Sequence, residues 1–259
     1  MTHTITRAVV AAGGAGTKMA PITRFIAKEM LPVARKPILE HLIHELSAAG
    51  IQDVLFVISS HKTQIPRYFG GGEAYGMDFS YRIQRDGAGP GAPVLAAETW
   101  TREQPYVFAF GDNLIRAAAD GEPPLRRLVH GNTAQCSVLT CRFSADQIPL
   151  HETLLGAADP PSPDPDCPHV VNFGRELLDH TGAPWVHACA ARWVLGPFIF
   201  EALRACPPRS NGELYLIDAV RRWIDEGNSA RAMTLLPSDL RFNCDNWETY
   251  ADAIATIRA

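Results

Sequence analysis

Apolar positions in the first half of the chain fall into short continuous runs separated by stripes of helical spacing. "RAVVAA" (7–12) is a run of small and β-branched residues closed by Gly13 and Gly14, which predicts a buried strand. "ILEHLIHELSAAGI" places apolar residues at 38, 39, 42, 43 and 46 and stops at Gly50, the pattern of an amphipathic helix. "QDVLFVISS" reads as a second buried strand, "KTQIPRYFG" as a short helix closed by glycines 70–72, and "FSYRIQ" as an alternating strand. "PVLAAETWTRE" is read as a helix and "YVFAFGDNLI" as another apolar strand, one that ends at Gly111-Asp112. Strand and helix thus alternate three times. That order predicts an α/β fold with a Rossmann-like, mostly parallel sheet, right-handed crossovers and flanking helices.

Beyond Ala117 the pattern loosens. "PPLRRLVHG" predicts a helix, "AQCSVLTCRF" a strand and "WVHACAARWVL" another strand. Between them "AADPPSPDPDCPH" (157–169) is proline- and aspartate-rich and reads as a loop or linker. "PFIFEALRAC", "GELYLIDAVRRWIDEG" and "NWETYADAIATIRA" predict three further helices. No internal repeat is evident.

Composition narrows the classes. With 259 residues, 46% of them hydrophobic, the chain can bury a sizeable core. A net charge of −4 without a basic block argues against nucleic acid as the main partner. No long apolar run marks a leader or a membrane span. The six cysteines are scattered, with no metal-binding spacing. They are expected to be reduced, as in a cytoplasmic protein.

Ligands of open α/β sheets sit beyond the carboxyl ends of the strands. "GGAGTK" (13–18) follows the first strand, and glycines let backbone N–H groups approach phosphates while lysines neutralise them. Asp112 ends a buried strand, where a carboxylate can seat Mg²⁺ bound to a nucleotide. Alone, "GGAG" reads equally well as a tight turn, and a single aspartate as a cap. Together with Lys18 and Lys28 they point to a nucleoside triphosphate and its metal. Two other phosphate motifs are excluded: Met19 stands where a dinucleotide fingerprint starting at Gly14 needs glycine, and Lys18 follows Thr17 where a P-loop needs glycine.

"AAGGAGTKMAPITRFIAKEMLPVARKPILEHLI" (11–43) resembles the opening of the sugar-1-phosphate nucleotidyltransferases, above all the glucose-1-phosphate uridylyltransferases and thymidylyltransferases. That family reads G-x-G-T-R-[ML]-x-P-x-T, then a lysine before [LM]-L-P. The resemblance implies a single nucleotidyltransferase domain over 1–259 of the nucleotide-diphospho-sugar transferase type, with residues 1–120 as the nucleotide-binding half and 121–259 as the acceptor-binding half. It also implies Mg²⁺ as cofactor, a pyrimidine nucleoside triphosphate and a phosphorylated acceptor as ligands, and a homo-oligomer, the usual state of the family.

Carried over by position, Ala11, Ala12, Gly13, Gly14, Gly16 and Thr17 shape the triphosphate loop. Lys18 holds the leaving pyrophosphate, Lys28 binds phosphate on the attacking side, and Asp112 binds the metal. Gln84, five residues before Gly89, takes the place of the family's base reader. An amide presents an acceptor and a donor at once, which suits the imide edge of uracil or thymine. "CAARWVL" resembles the family's G-R-Y-V-L strand and puts Trp193 toward the acceptor. "GELYLIDAV" resembles G-E-I-Q-L-T-D-A and puts Glu213 on the sugar, with Asp218 nearby. "RFNCDNWETYADA" resembles R-[FY]-D-C-G-S-x-x-G-Y-x-x-A.

The departures are specific. Lys18 replaces an arginine, keeping the charge but losing the planar fork. Asn243 replaces the C-terminal metal-binding aspartate, and Asp245 two residues on is the compensating carboxylate. The turn at 89–93 reads G-P-G-A-P where uridylyltransferases have G-L-G-H-A. The E-K-P segment that holds the sugar phosphate has no counterpart, and Arg175 is the candidate for its positive charge. Three readings stand at this point. One is a nucleotidyltransferase that joins UTP or dTTP to a sugar 1-phosphate or similar acceptor and releases pyrophosphate. Another is a catalytically impaired nucleotide-binding homologue acting as a regulatory or partner subunit. The third is an unrelated α/β enzyme with a chance glycine turn.

Overall fold

The computed structural model describes residues 4–84, 87–118, 121–130, 132, 134–144, 153–157, 169–173 and 185–258. The opening apolar run forms strand β1 (Arg7–Ala12). A small hairpin of β2 (Pro32–Val33) and β3 (Lys36–Pro37) precedes helix α1 (Ile38–Ala48). Next come β4 (Asp53–Ser59), α2 (Gln64–Phe69) and β5 (Asp78–Gln84). The single helix expected over 93–103 is two short ones, α3 (Ala92–Ala96) and α4 (Glu98–Thr101). The backbone tightens between them, with Ala97 N bonded to Val94 O at 2.9 Å.

The apolar strand at 106–110 ends at Gly111-Asp112 as expected, and a further strand follows it. Strand β6 (Tyr106–Phe110) ends where Gly111 and Asp112 turn out of the sheet, and β7 (Asn113–Arg116) starts a different one. Helix α5 (Pro124–His130) and strand β8 (Cys136–Ser144) follow. Then come β9 (Leu154–Ala157), β10 (His169–Phe173) and the long β11 (Trp185–Leu195). Helices α6 (Phe198–Ala205) and α7 (Leu216–Asp225) are next. The second helix starts later than its apolar pattern suggests, leaving Glu213 on a loop. Strands β12 (Ala230–Thr234) and β13 (Leu240–Asn243), which like β2, β3, β9 and β10 the sequence patterning did not reveal, precede the final helix α8 (Trp247–Thr256).

Among the described residues the main sheet has nine strands in the order β5-β4-β1-β6-β11-β8-β12-β10-β9. The pairings make β5, β4, β1, β6, β8, β12 and β9 run one way and β11 and β10 the other. The chain winds outward from β1 through β4 to β5, then returns to place β6 on the other side of β1. The carboxyl ends of β1 and β6 therefore flank the point where winding reverses, the crevice such sheets use for ligands.

Both faces of β1 are covered, which explains its unbroken apolar run. Ala8, Val10 and Ala12 face one core with α1, α2 and α5, while Val9 faces the other with α3, α6 and α7. A third, smaller cluster buries Met19 against Leu114, Cys244 and Tyr250. Burying a methionine is worth about 2 kcal/mol. This contact fastens the loop after β1 to the C-terminal β13–α8 segment.

Candidate functional site

The loop leaving β1 is shaped by residues without side chains. Gly16 adopts φ +67°, and a Cβ there would lie 2.9 Å from Thr23 Cγ2. Thr23 Oγ1 donates to Gly16 O at 2.9 Å and fixes the turn into Thr17–Met19. Gly14 lies beside the Lys28 ammonium, whose Nζ would be 3.8 Å from an added Cβ. Backbone and cation thus face the same space.

Asp112 closes that space from the end of β6. Lys28 Nζ donates to Asp112 Oδ2 in a short contact between two mostly buried side chains. Burial alone would lower the Lys28 ammonium's pKa, but Asp112, Glu29 and Asp245 together push it above its ordinary value. Burial opposes the charge on Asp112 too. The Lys28 charge and hydrogen bonds from Lys28 and Asn113 nonetheless hold that carboxyl below its ordinary range. Glu29 is buried and takes a second cation, Lys62, at 2.7 and 2.8 Å. The site therefore rests on an alternating row of charges: Asp112, Lys28, Glu29 and Lys62.

The C-terminal segment meets Asp112 through Asn113. Asn113 Nδ2 donates to Asp112 Oδ1 at 3.0 Å and to Asn243 Oδ1 at 3.2 Å, bringing those oxygens to one amide. Asn113 pairs with Asn243 across β7 and β13, and Cys244 N donates to Asp112 O at 2.9 Å. Asp245 instead accepts from Lys18 Nζ at 2.7 Å.

A cleft of about 400 Å³ opens over these strand ends, lined by Ala11, the loop from Gly13 to Thr17, Lys28, Gln84, Gly89, Asp112 and Glu213 among others. Gln84 ends β5 and lays its amide over Gly13, where an added Cβ would lie 2.3 Å from Nε2. Its Oε1 is buried without a hydrogen-bond partner, so an acceptor stands ready for a donor from a ligand. Gly89, at φ +82°, packs on the backbone of Leu214, whose carbonyl oxygen would be 2.6 Å from an added Cβ. Gly91 N donates to Leu214 O at 2.7 Å and Leu214 N to Ala88 O at 3.2 Å. This pairing presents Glu213 opposite the glycine loop. Tyr215 Oη and Asn211 Nδ2 donate to Glu213 Oε2 at 2.8 and 3.0 Å. The Arg209 guanidinium lies 3.9 Å over the Tyr215 ring and forks onto Asp218 at 2.7 and 2.5 Å.

The expected residues do not all converge. Ala12 turns into the core at 1% exposure. Trp193, expected toward the acceptor, is also 1% exposed and packs its ring 5.8 Å from Phe173. The alternation of β11 sends it into the helix-covered core, away from the cleft lining. Lys18 lies outside that lining and is 53% exposed. Arg175, like most of the proline-rich stretch 157–169, falls outside the described residues.

Sequence reading also passed over Asn113, Glu29, Lys62 and Arg192. The last carried a usable signal, since a charge inside the apolar run "CAARWVL" must find partners if buried. A second depression of about 550 Å³ beside α1 shares no lining residue with the cleft.

Comparison with known proteins shows the family. Residues 7–142 match the model of the family described as Nucleotidyl transferase. The chain is 29% identical over 237 residues to a glucose-1-phosphate thymidylyltransferase of Streptomyces antibioticus, covering 88% of this chain and 60% of that protein. It thus spans less than two thirds of that relative's length. It is 28% identical over 240 residues to a UTP–glucose-1-phosphate uridylyltransferase of Bacillus subtilis strain 168, covering 84% of this chain and 80% of that one. Among solved structures, UDP-glucose pyrophosphorylase complexed with UDP-glucose superposes with a TM-score of 0.85 at 21% identity, covering 97% of each chain. A UTP-bound enzyme from Acinetobacter baumannii gives 0.80 at 21% identity, over 97% of this chain and 92% of that one. At that identity the superpositions speak for the fold.

Proposed function

We propose that this chain, which belongs to the nucleotidyl transferase family, joins a pyrimidine nucleoside triphosphate to a sugar 1-phosphate or similar phosphorylated acceptor and releases pyrophosphate. The observation that carries the reading is the Lys28–Asp112 pair, set between the glycine loop after β1 and the end of β6, where the winding of the sheet reverses.

In this reading each residue takes a role. The loop from Gly13 to Thr17 receives the phosphates on its backbone. The unpartnered oxygen of Gln84 accepts the N3–H of uracil or thymine, which favours UTP or dTTP. Glu213, already oriented by Tyr215 and Asn211, accepts from acceptor hydroxyls. An anionic oxygen of the acceptor phosphate attacks the α-phosphorus, a new P–O bond forms, and the bond to the β-phosphate oxygen breaks. Lys28 neutralises charge beside the reacting phosphates, and Lys18 receives the departing pyrophosphate. Such a reaction asks the protein for position and charge more than for covalent chemistry.

The donor set suits Mg²⁺. Asp112, Asn243 and Asp245 offer only oxygen, the ligand this ion takes. Among the described residues no group of three or more His, Cys, Asp or Glu stands ready to hold a metal by itself. A site of one or two carboxylates that leaves the remaining positions to phosphates and water is the usual arrangement for Mg²⁺. When bound, the ion would offset the negative charge that builds up on the phosphates.

The test is pyrophosphate release on incubation with ATP, GTP, CTP, UTP or dTTP, Mg²⁺ and a panel of sugar 1-phosphates. Release with UTP or dTTP is expected. Silence across the panel with UTP binding intact would instead make the chain a binding subunit. In that event, turnover appearing in Lys18→Arg with Asn243→Asp would locate the lost chemistry in those two positions.

A further inference from the structure

We propose that Arg192 is a positioning residue that holds Asp112 in register for its work. Its side chain is 0% exposed, and all five of its N–H donors are used. Nε and Nη2 grip the Glu45 carboxylate on α1 at 3.2, 3.2 and 2.8 Å. The remaining donors reach backbone oxygens: Nη1 to Phe110 O at 3.3 Å and Ala191 O at 3.2 Å, Nη2 to Asn113 O at 2.9 Å.

Phe110 and Asn113 flank Gly111-Asp112, where the chain leaves the large sheet and restarts as β7. One planar guanidinium therefore pins both ends of the two-residue turn that carries the carboxylate. The local fold of β11 makes this reach available. Its register with β8 shifts between Cys189 and Trp193, and Ala191 takes φ +61° inside that shift.

Stability alone does not account for the arrangement. A buried ion pair can often be replaced by packed apolar side chains without loss of stability, because desolvation offsets its attraction. Glu45 alone would complete a staple between α1 and β11. The bonds to Phe110 O and Asn113 O go beyond that, and they end at the Asp112 turn.

This inference rests on the proposed reading of Asp112 as the carboxylate on the metal side. The experiment measures UTP affinity in EDTA and with Mn²⁺ as the probe ion, giving the gain that metal brings. The variants are Arg192→Lys, Glu45→Gln, and Arg192→Met with Glu45→Leu; the last removes both charges and so leaves none unpaired. In wild type, Mn²⁺ is expected to tighten UTP binding. Arg192→Lys and the double variant should bind UTP in EDTA as wild type does, but lose about tenfold of the metal-dependent gain. Glu45→Gln should lower the melting temperature and keep the gain, because the backbone contacts of Arg192 survive. A double variant or Arg192→Lys with the full gain would overturn the inference, as would Glu45→Gln losing as much as Arg192→Lys. A wild type that gains nothing from Mn²⁺ would instead overturn the reading of Asp112 itself.

Discussion

Lys18 Nζ and Asp245 Oδ2 stand 2.7 Å apart and join the first glycine loop to the turn before the last helix. Both residues sit at departures from the pattern the chain otherwise resembles. The arginine of the loop is a lysine, and the carboxylate expected at 243 appears at 245. Each cation of the site is thus held by a carboxylate: Lys18 by Asp245 and Lys28 by Asp112. A triphosphate with its metal would exchange these partners, phosphates taking the lysines and the ion taking carboxylate oxygens.

That exchange makes a prediction for Asp245→Ala. Lys18 is exposed, so the pair itself stabilises the fold by no more than about 1 kcal/mol. The variant should melt within about 2–3 °C of wild type. Without metal it should bind UTP up to about fivefold more tightly, since Lys18 is released and a negative charge is gone. The gain from Mg²⁺ should shrink. Titration of UTP with and without Mg²⁺ checks it; unchanged affinity in EDTA would show that the ion pair does not compete with phosphate.

Asp112→Asn should abolish metal-dependent turnover and also destabilise the fold, because Lys28 is left charged and mostly buried. Removing one partner of a buried pair costs about 3–5 kcal/mol. The pH dependence follows from the two shifts. The folded pKa of Asp112 lies below the 3.8 of its unperturbed state, so its contribution is present above that pH and is lost as pH falls. The folded pKa of Lys28 lies above 10.5, so its contribution is complete below that pH and is lost only as pH rises further. The stability gap between wild type and Asp112→Asn should therefore stay constant from about pH 5 to 9 and narrow below about pH 4. Urea titrations at a series of pH values measure the gap directly.

How far these features could be read from sequence depends on what each residue is doing. The β1 run and the glycine loop are legible because a strand covered on both faces must be apolar throughout, and a turn packed this closely against Gln84, Lys28 and Thr23 calls for glycines. The end of the strand at Gly111-Asp112 is legible too, but that Asn113–Arg116 resumes as a strand of a different sheet is not, because the apolar residues simply continue. Strands β12 and β13 escape notice for the opposite reason: Arg231 and Arg241 interrupt short runs that read as polar. Arg192 and Trp193 show the limit of analogy between single positions. The motif locates both, but only the geometry of β11 shows the arginine reaching the Asp112 turn and the tryptophan entering the core.

Gly13 gives a second route to testing the role proposed for Gln84. An added Cβ would meet Gln84 Nε2 at 2.3 Å, and the neighbour is the end of a flexible side chain rather than backbone. Gly13→Ala should therefore displace the Gln84 amide and leave the fold intact. It should reproduce Gln84→Ala: discrimination between UTP and CTP falls by roughly tenfold, the worth of one good polar contact, while affinity for inorganic pyrophosphate changes little. Competition binding among the triphosphates reads this out. A Gly13→Ala protein with wild-type preference would separate Gln84 from base choice.

Ala191 offers a test of the backbone that carries Arg192. Its φ of +61° costs an L-residue with a Cβ about 1–2 kcal/mol, a cost glycine does not bear. Ala191→Gly relieves that strain, but it also removes a buried methyl worth about 0.8 kcal/mol and adds about 0.5–1 kcal/mol of unfolded-state freedom. The terms nearly cancel, so Ala191→Gly should fall within about 1 kcal/mol of wild type. Ala190, also buried in the same strand, has no positive φ to relieve. There the same change loses the methyl and the backbone restraint together and should cost about 1.3–1.8 kcal/mol. Urea midpoints of the two variants, compared at equal slope, decide the matter. Equal destabilisation at both positions would mean that Ala191 is not held in the left-handed region in solution, and that the turn of β11 presenting Arg192 is made some other way.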